Sequence, residues 1–513
     1  MKSMQAKLPR WLLPALLAAL ALAARLLPGA RTIDDAFITF RYARNLLAGQ
    51  GFGFNPGEAV LGTTTPLYTL LMAGLGALTG GAATPFPLLA LGLNALADAG
   101  TCLLLLWLGR RLGSPLAGAG AGLLWALAPY SVTFAIGGLE TSVYVLLLTG
   151  LAAAWLARRR ELAALCGVLA LLTRPDALLL AGPLVTHRLY EAWRGERLRW
   201  SEALLFLLPG LTWGAFATLT FGSPVPHSVS AKLAVYRLGA GEALIRLIQH
   251  YATPFHWHNL LGAAGIALGL ALFPFLYGVG GLRAWRAQPR LLAWLVYPLV
   301  YLVVFALPNP LIFRWYLTPP LPAYFLLILL GAEHALRPLL QRRPNGATLR
   351  VAFVALMVVG LPLLGLLSEW RLRLDHGPAR PAPQMAFIKL ELLYRQAADV
   401  VMTQMKPGET LAAGDVGVLG YYTGAPMLDT VGLNSPRSLD FYPLPDEAYV
   451  INYAIPAALI LQAQPDWLVA LEVYGRNTYL QDARFSARYE RVAMLPADIY
   501  GSRGLGIWRR TGE

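Results

Sequence analysis

The sequence predicts a mainly α protein, a polytopic membrane helical bundle with a smaller α/β soluble domain outside the membrane at its C-terminal end. Three observations predict it. Of the 513 residues, 57% are hydrophobic and only 14% charged, against roughly 25% charged in an ordinary soluble domain. Apolar stretches recur from Trp11 to Leu367, and a helix needs about 17 to 25 such residues to cross roughly 30 Å of hydrocarbon. From Ser368 onward the apolar runs shorten and Asp, Glu, Arg, Asn and Gln become frequent, which marks a separate water-facing unit. The expected boundaries are 1–367 for the membrane domain, with its first external loop at 29–84, then a linker at 368–383 and an external α/β domain at 384–513.

The first apolar stretch, 11–28, follows Lys2, Lys7 and Arg10; no small-x-small cleavage site succeeds it, so it is read as a retained span. Basic clusters at Arg110-Arg111, Arg158 to Arg160, Arg188 to Arg199, Arg283 to Arg290 and Arg337 to Arg350 then set the topology, because cytoplasmic loops collect Lys and Arg. All of them face inward with the N-terminus if Pro66 to Leu78 lies at the interface or re-enters instead of crossing. About 11 spans result, at 11–28, 85–108, 115–134, 139–157, 161–174, 176–190, 201–221, 259–282, 291–307, 316–336 and 349–367. The net charge of +14 is thereby a matter of topology. No single basic face exists, so nucleic acid is excluded as a partner, and the partners include membrane lipids. Cys102 and Cys166 both fall inside apolar runs and form no disulfide framework.

On this map the unusual polar residues gather on one outer face, as a multi-pass cell-membrane enzyme with an extracytoplasmic site requires. Thr32-Ile33-Asp34-Asp35 matches a capping box opening a short helix, with both acids in its first turn. Helical spacing puts Ile38, Arg41 and Asn45 on the Asp34 face, and Thr39 and Tyr42 beside Asp35. By residue type alone, the pair reads either as capping acids on an interfacial helix or as a positioned base.

The order of residues decides between these readings. Asp34-Asp35-Ala36-Phe37-Ile38, Arg41-Tyr42-Ala43, Asn45-Leu46, Gly51, Asn55-Pro56-Gly57-Glu58 and Thr65-Pro66-Leu67 resemble the first external loop of the GT-C glycosyltransferases. Within that superfamily the stretch looks most like the mycobacterial and corynebacterial terminal arabinofuranosyltransferases and related bacterial proteins. The resemblance implies a helical membrane bundle with juxtamembrane helices. It also implies inverting transfer of a sugar from a polyprenyl-phosphate donor to a cell-envelope glycan or a lipid-linked acceptor. A sugar hydroxyl needs a carboxylate to take its proton as it attacks; Asp34 is the first choice, with Asp35 orienting the acceptor or holding Asp34 in place, and nothing in the sequence excludes the reverse assignment.

The leaving phosphate needs fixed cations near the membrane surface. Lys232, after Gly222-Ser223-Pro224-Val225-Pro226-His227-Ser228, resembles the lysine that follows a Pro-Asn-Thr/Ser segment in these families, with His227 where Asn is expected. Arg314, in Pro308 to Tyr316, resembles the late Arg-Tyr signature and otherwise reads as an interfacial anchor. Arg41 completes the donor-phosphate set. Tyr42, Glu140, His227 and Arg174 are the expected positioning residues, although Arg174 and Asp176 can also simply pair.

No cofactor or divalent metal is expected, since a lipid monophosphate has no diphosphate needing a bridging ion. The His256-x-His258 pair is not read as a metal site because no acidic or cysteine ligand lies near it in sequence. In the C-terminal part, Phe387 to Met405 reads as a helix and Thr410 to Ala413 as a strand, with Asp415 and Asp429 either lining an acceptor groove or ending strands. A transporter or a flippase of lipid-linked glycans is the alternative, disfavoured by the missing internal repeat.

Overall fold

The computed structural model describes residues 9–341, 347–370 and 386–511. A helix occupies each of the eleven stretches expected to span. Five are long and apolar enough to cross a membrane by length and composition, namely Phe86–Arg111, Trp200–Phe221, Ala263–Ala287, Pro289–Ala306 and Leu349–Ser368. A sixth span results if Pro115–Leu127 and Pro129–Ile136, bent by 46°, count as one. The bend falls at Pro129, which cannot donate to the helix ladder and opens the second helix instead. Pro66–Thr79 is a separate helix of 14 residues. The linker expected at 368–383 lies, beyond Trp370, outside the described residues.

Inside the bundle, Arg25 and Asp98 form an ion pair of 2.8 Å with both side chains fully buried. Every partner they need is present. Trp125 Nε1 donates to Asp98 Oδ1 (3.0 Å), Ser142 Oγ donates to Oδ2 (2.9 Å), and Arg25 donates to the carbonyl oxygen of Ala126 (2.6 Å) and to Ser131. A buried charge pair is tolerated when its remaining hydrogen-bonding capacity is met in this way.

The C-terminal domain, called the outer domain after its expected position, holds a five-stranded sheet, with β1 Leu411–Ala413, β2 Met427–Asp429, β3 Trp467–Leu471, β4 Tyr489–Pro496 and β5 Gly504–Arg510 in the order β2-β1-β3-β5-β4. β1 pairs in parallel with β2 and β3, while β5 runs antiparallel to β3 and β4. The central strand reads Trp-Leu-Val-Ala-Leu and is buried along its whole length, the continuous apolar run expected of a strand covered on both faces. One hydrophobic core runs from this sheet into the juxtamembrane helices and joins Phe37, Phe40 and Tyr68 to Val418, Leu419 and Leu468. The outer domain therefore packs on the membrane domain as one continuous core.

Candidate active site

The first external loop enters the site by pairing with the kinked helix. Arg31 N–H donates to Ile136 O (2.8 Å) and Ile33 N–H to Gly137 O (2.9 Å). The helix that follows, Asp34–Leu47, starts one residue later than a Thr32 cap would place it: the cap position is Ile33, and no side chain caps it. The expected capping box is thus replaced by tertiary bonding.

The two aspartates face different surroundings. Asp34 is 5% exposed, and both its oxygens are taken. Gly417 N–H donates to Oδ2 (3.0 Å) and Val418 N–H to Oδ1 (2.7 Å). The contact is so close that a Cβ on Gly417 would lie 1.9 Å from the Asp34 carbonyl oxygen. Burial and the neighbouring Asp415 push the Asp34 pKa up, against the pull of the two amides. Asp35 lies about 100° further round the helix and is partly exposed. Burial raises its pKa, and the charge of Lys232 opposes the rise.

Asp35 and Trp315 line both of two neighbouring cavities. The first is a cleft open to solvent, lined by Thr63, Thr65, Glu140, Arg174, Ser228, Lys232 and Tyr316. There Arg174 is bound to Glu140 (3.1 Å) and Asp176 (2.9 Å), so its charge is already balanced. Lys232 Nζ instead sits 5.0 Å from the Phe313 ring centre and 5.7 Å from that of Tyr316. Burial works against its ammonium, but Tyr316 and Asp35 outweigh that and hold its pKa above the ordinary value.

The second cavity, about 1150 Å³, lies under the sheet and is lined by Arg246, Arg314, Asp415, Tyr236, Tyr394, Tyr453, Tyr474 and Tyr500. Asp34 borders it too, with its oxygens occupied. Asp415, Val431 and Tyr474 follow the carboxyl ends of β1, β2 and β3, the edge at which α/β sheets hold ligands. Tyr394 donates to Asp415, whose pKa burial pushes up to about 6. Asp429 ends β2, and its carboxylate serves the turn that follows, accepting from the amides of Val431 (2.9 Å), Gly432 (3.1 Å) and Asn434 (2.8 Å).

Of the residues singled out in the sequence, the structure brings Asp35, Lys232, Glu140 and Arg174 to the first cavity and Arg314 to the second. Three lie elsewhere. Arg41 is 1% exposed and donates to Phe54 O (2.7 Å) and Ala425 O (2.7 Å), so it clamps the loop to the C-terminal domain and lines neither cavity. Tyr42 donates to Val60 O (2.8 Å) and accepts from Gly62 N–H (2.9 Å), which buries it behind the first cavity. His227 begins its helix with its N–H on Leu61 O (2.9 Å), and the next residue, Ser228, lines the cavity in its place. The sequence reading missed Thr63, Ser228, Tyr316 and Arg246. The hydroxyl run Thr63-Thr64-Thr65 ahead of Pro66 was the available signal for the first.

The arrangement of a helical bundle beside an α/β unit is a fold found in solved structures. Two of them share it with this chain. ArnT from Cupriavidus metallidurans, bound to undecaprenyl phosphate, superposes with a TM-score of 0.55 at 14% identity, covering 97% of each chain. The oligosaccharyltransferase AglB from Archaeoglobus fulgidus, in complex with an inhibitory peptide and a dolichol-phosphate, gives 0.52 at 13% identity over 91% of this chain and 71% of its own. By sequence, the terminal beta-(1->2)-arabinofuranosyltransferase of Mycobacterium tuberculosis is 31% identical over 222 residues, 39% of this chain and 34% of that protein. The match thus spans about a third of that curated relative's length. Residues 384–509 match a family described as a domain of unknown function, DUF8728.

Proposed function

We propose that this chain is an inverting glycosyltransferase that moves a sugar from a polyprenyl-phosphate donor to an extracytoplasmic glycan or lipid-linked acceptor, with Asp35 as the general base. The observation that carries the reading is the position of Asp35 at the junction of two cavities, opposite Lys232. Asp34, the first choice from sequence, has both oxygens committed to backbone amides and is better suited to hold the helix in place. The lipid carriers bound in the ArnT and AglB structures support a lipid-phosphate donor. The curated relative makes arabinofuranose the sugar to test first.

In this reading the donor headgroup occupies the first cavity and the acceptor reaches Asp35 through the second. The Asp35 carboxylate accepts the acceptor hydroxyl proton as that oxygen bonds to the anomeric carbon. The bond from that carbon to the phosphate oxygen breaks on the opposite side, and Lys232 offsets the charge left on the phosphate. A base with a raised pKa suits this role, since it binds the proton more firmly once transferred. The tyrosines of the second cavity offer flat faces and hydroxyls to a glycan, with Arg246 and Arg314 for any anionic group on the acceptor. No divalent ion takes part in this step. The site and the unit from 384 onward face the extracytoplasmic side, and about 11 helices of residues 1–367 cross the membrane.

The test is transfer of labelled sugar from polyprenyl phosphate by the purified protein. Asp35→Asn is expected to abolish transfer while leaving the fold intact. Full transfer by Asp35→Asn, together with its loss in a well-folded Asp34→Asn, would restore Asp34 as the base. No transfer from any polyprenyl-phosphate sugar by the wild type would sink the enzyme reading.

A further inference from the structure

We infer that the turn at 253–259 and the end of the last membrane helix together form a site for one divalent transition-metal ion of the zinc type, with His256, His258 and Glu369 as ligands. One donor atom from each of the three lies within 4.8 Å of the others. The acid that the His-x-His pair lacks in sequence is therefore supplied by a residue far along the chain.

Two of the donors are bare. His256 Nε2 and His258 Nδ1 are buried and meet no hydrogen-bond partner among the described residues, and His256 as a whole is 6% exposed. A buried polar atom left without a partner costs about 1–3 kcal/mol, which coordination would offset. The carboxylate is already drawn into the cluster: Glu369 Oε1 stands 3.4 Å from His256 Nδ1, and Asn259 Nδ2 donates to it.

The backbone holds the two ligand-bearing segments together independently of any ion. Trp257 Nε1 donates to Leu361 O (3.2 Å), and a Cβ on Gly365 would lie 2.0 Å from Phe255 O. His256 adopts a φ of 55°, a left-handed conformation uncommon for a residue with a side chain and often found where geometry serves a site. Zinc takes imidazole nitrogen and carboxylate oxygen at about 2.0–2.2 Å in tetrahedral geometry, so its donors stand roughly 3.5 Å apart. Binding would draw the three donors in from their present separations, all within 4.8 Å, and leave the fourth position to water. Two imidazoles and one carboxylate favour zinc over magnesium or calcium, which prefer all-oxygen sites. None of the three ligands lines either cavity. The ion is structural, and it fastens the turn that follows the Arg246 helix, Glu242–Ala252, to the end of the helix Leu361–Ser368.

Full-length protein in nanodiscs, stripped with chelator and reloaded with zinc, is expected to retain one ion per chain by elemental analysis. Cobalt substitution should give the absorption of a tetrahedral site. His258→Ala and Glu369→Gln should each weaken binding by at least about 10-fold and remove the rise in Tm that zinc gives the wild type, with an unchanged elution profile. His250→Ala, which alters a neighbour of Tyr130 and no ligand, should keep the ion. Wild-type protein that is folded and takes up neither zinc nor cobalt stoichiometrically overturns the proposal, as does binding unchanged in both ligand variants. The readout needs no transfer activity, so it stands or falls separately from the reaction proposed above.

Discussion

Two acid–base pairs in this molecule look alike in sequence and differ in kind. Arg25 and Asp98 lie within the bundle with their hydrogen-bonding partners supplied by Trp125, Ser131, Ser142 and Ala126. Asp35 and Lys232 line the same cavity and feel each other's charge without forming a direct ion pair, and the Lys232 ammonium lies against the rings of Phe313 and Tyr316. A saturated pair has no capacity left for a substrate, whereas an unsaturated pair next to a cavity does. The contrast assigns stability to the first and chemistry to the second.

Mutation separates them. Asp35→Asn should lower kcat by about 10²–10⁴-fold and leave the thermal transition in detergent unchanged. Arg25→Met should do the reverse, costing about 3–5 kcal/mol of stability by stranding Asp98, read as a lower Tm with the remaining folded fraction still active. A smaller effect, about 1–3 kcal/mol, is expected for Gly417→Ala, whose new Cβ would collide with the Asp34 backbone. Gly182→Ala, with its nearest neighbour a side-chain carbon at 3.4 Å, is the neutral control, and both are scored by protease resistance of the outer domain. The smallest change sharpens the comparison. Burial raises the Asp35 pKa while Lys232 holds it down, so activity falls as pH drops through that pKa and the base is protonated. In Lys232→Met the residual activity should show this acid limb at higher pH.

Much of this arrangement was legible in the sequence, for reasons that differ by element. The helices at the eleven apolar stretches follow from local hydropathy, and the clustering of Lys232, Glu140, Arg174 and Arg314 near the acid pair follows from the inside–outside asymmetry of charge. What stayed hidden depends on partners remote in sequence. Asp34 and Asp35 are neighbours of the same type, and only the amides of Gly417 and Val418 distinguish them. Arg41 looked like a phosphate ligand because nothing local reveals that Phe54 and Ala425 use its donors. Glu369 is equally remote from the two histidines it joins.

The clasp between Asp34 and the amides of Gly417 and Val418 makes the C-terminal domain a wall of the second cavity. The membrane part is therefore not a self-contained engine to which any external module can be attached. A chimera carrying a different outer domain would have to reproduce two amides aimed at one carboxylate, or the helix bearing Asp35 would lose its anchor. Any force that shifts the C-terminal domain would reach the helix bearing Asp35 through Asp34, and through Arg41, which the same helix carries to the carbonyl oxygen of Ala425.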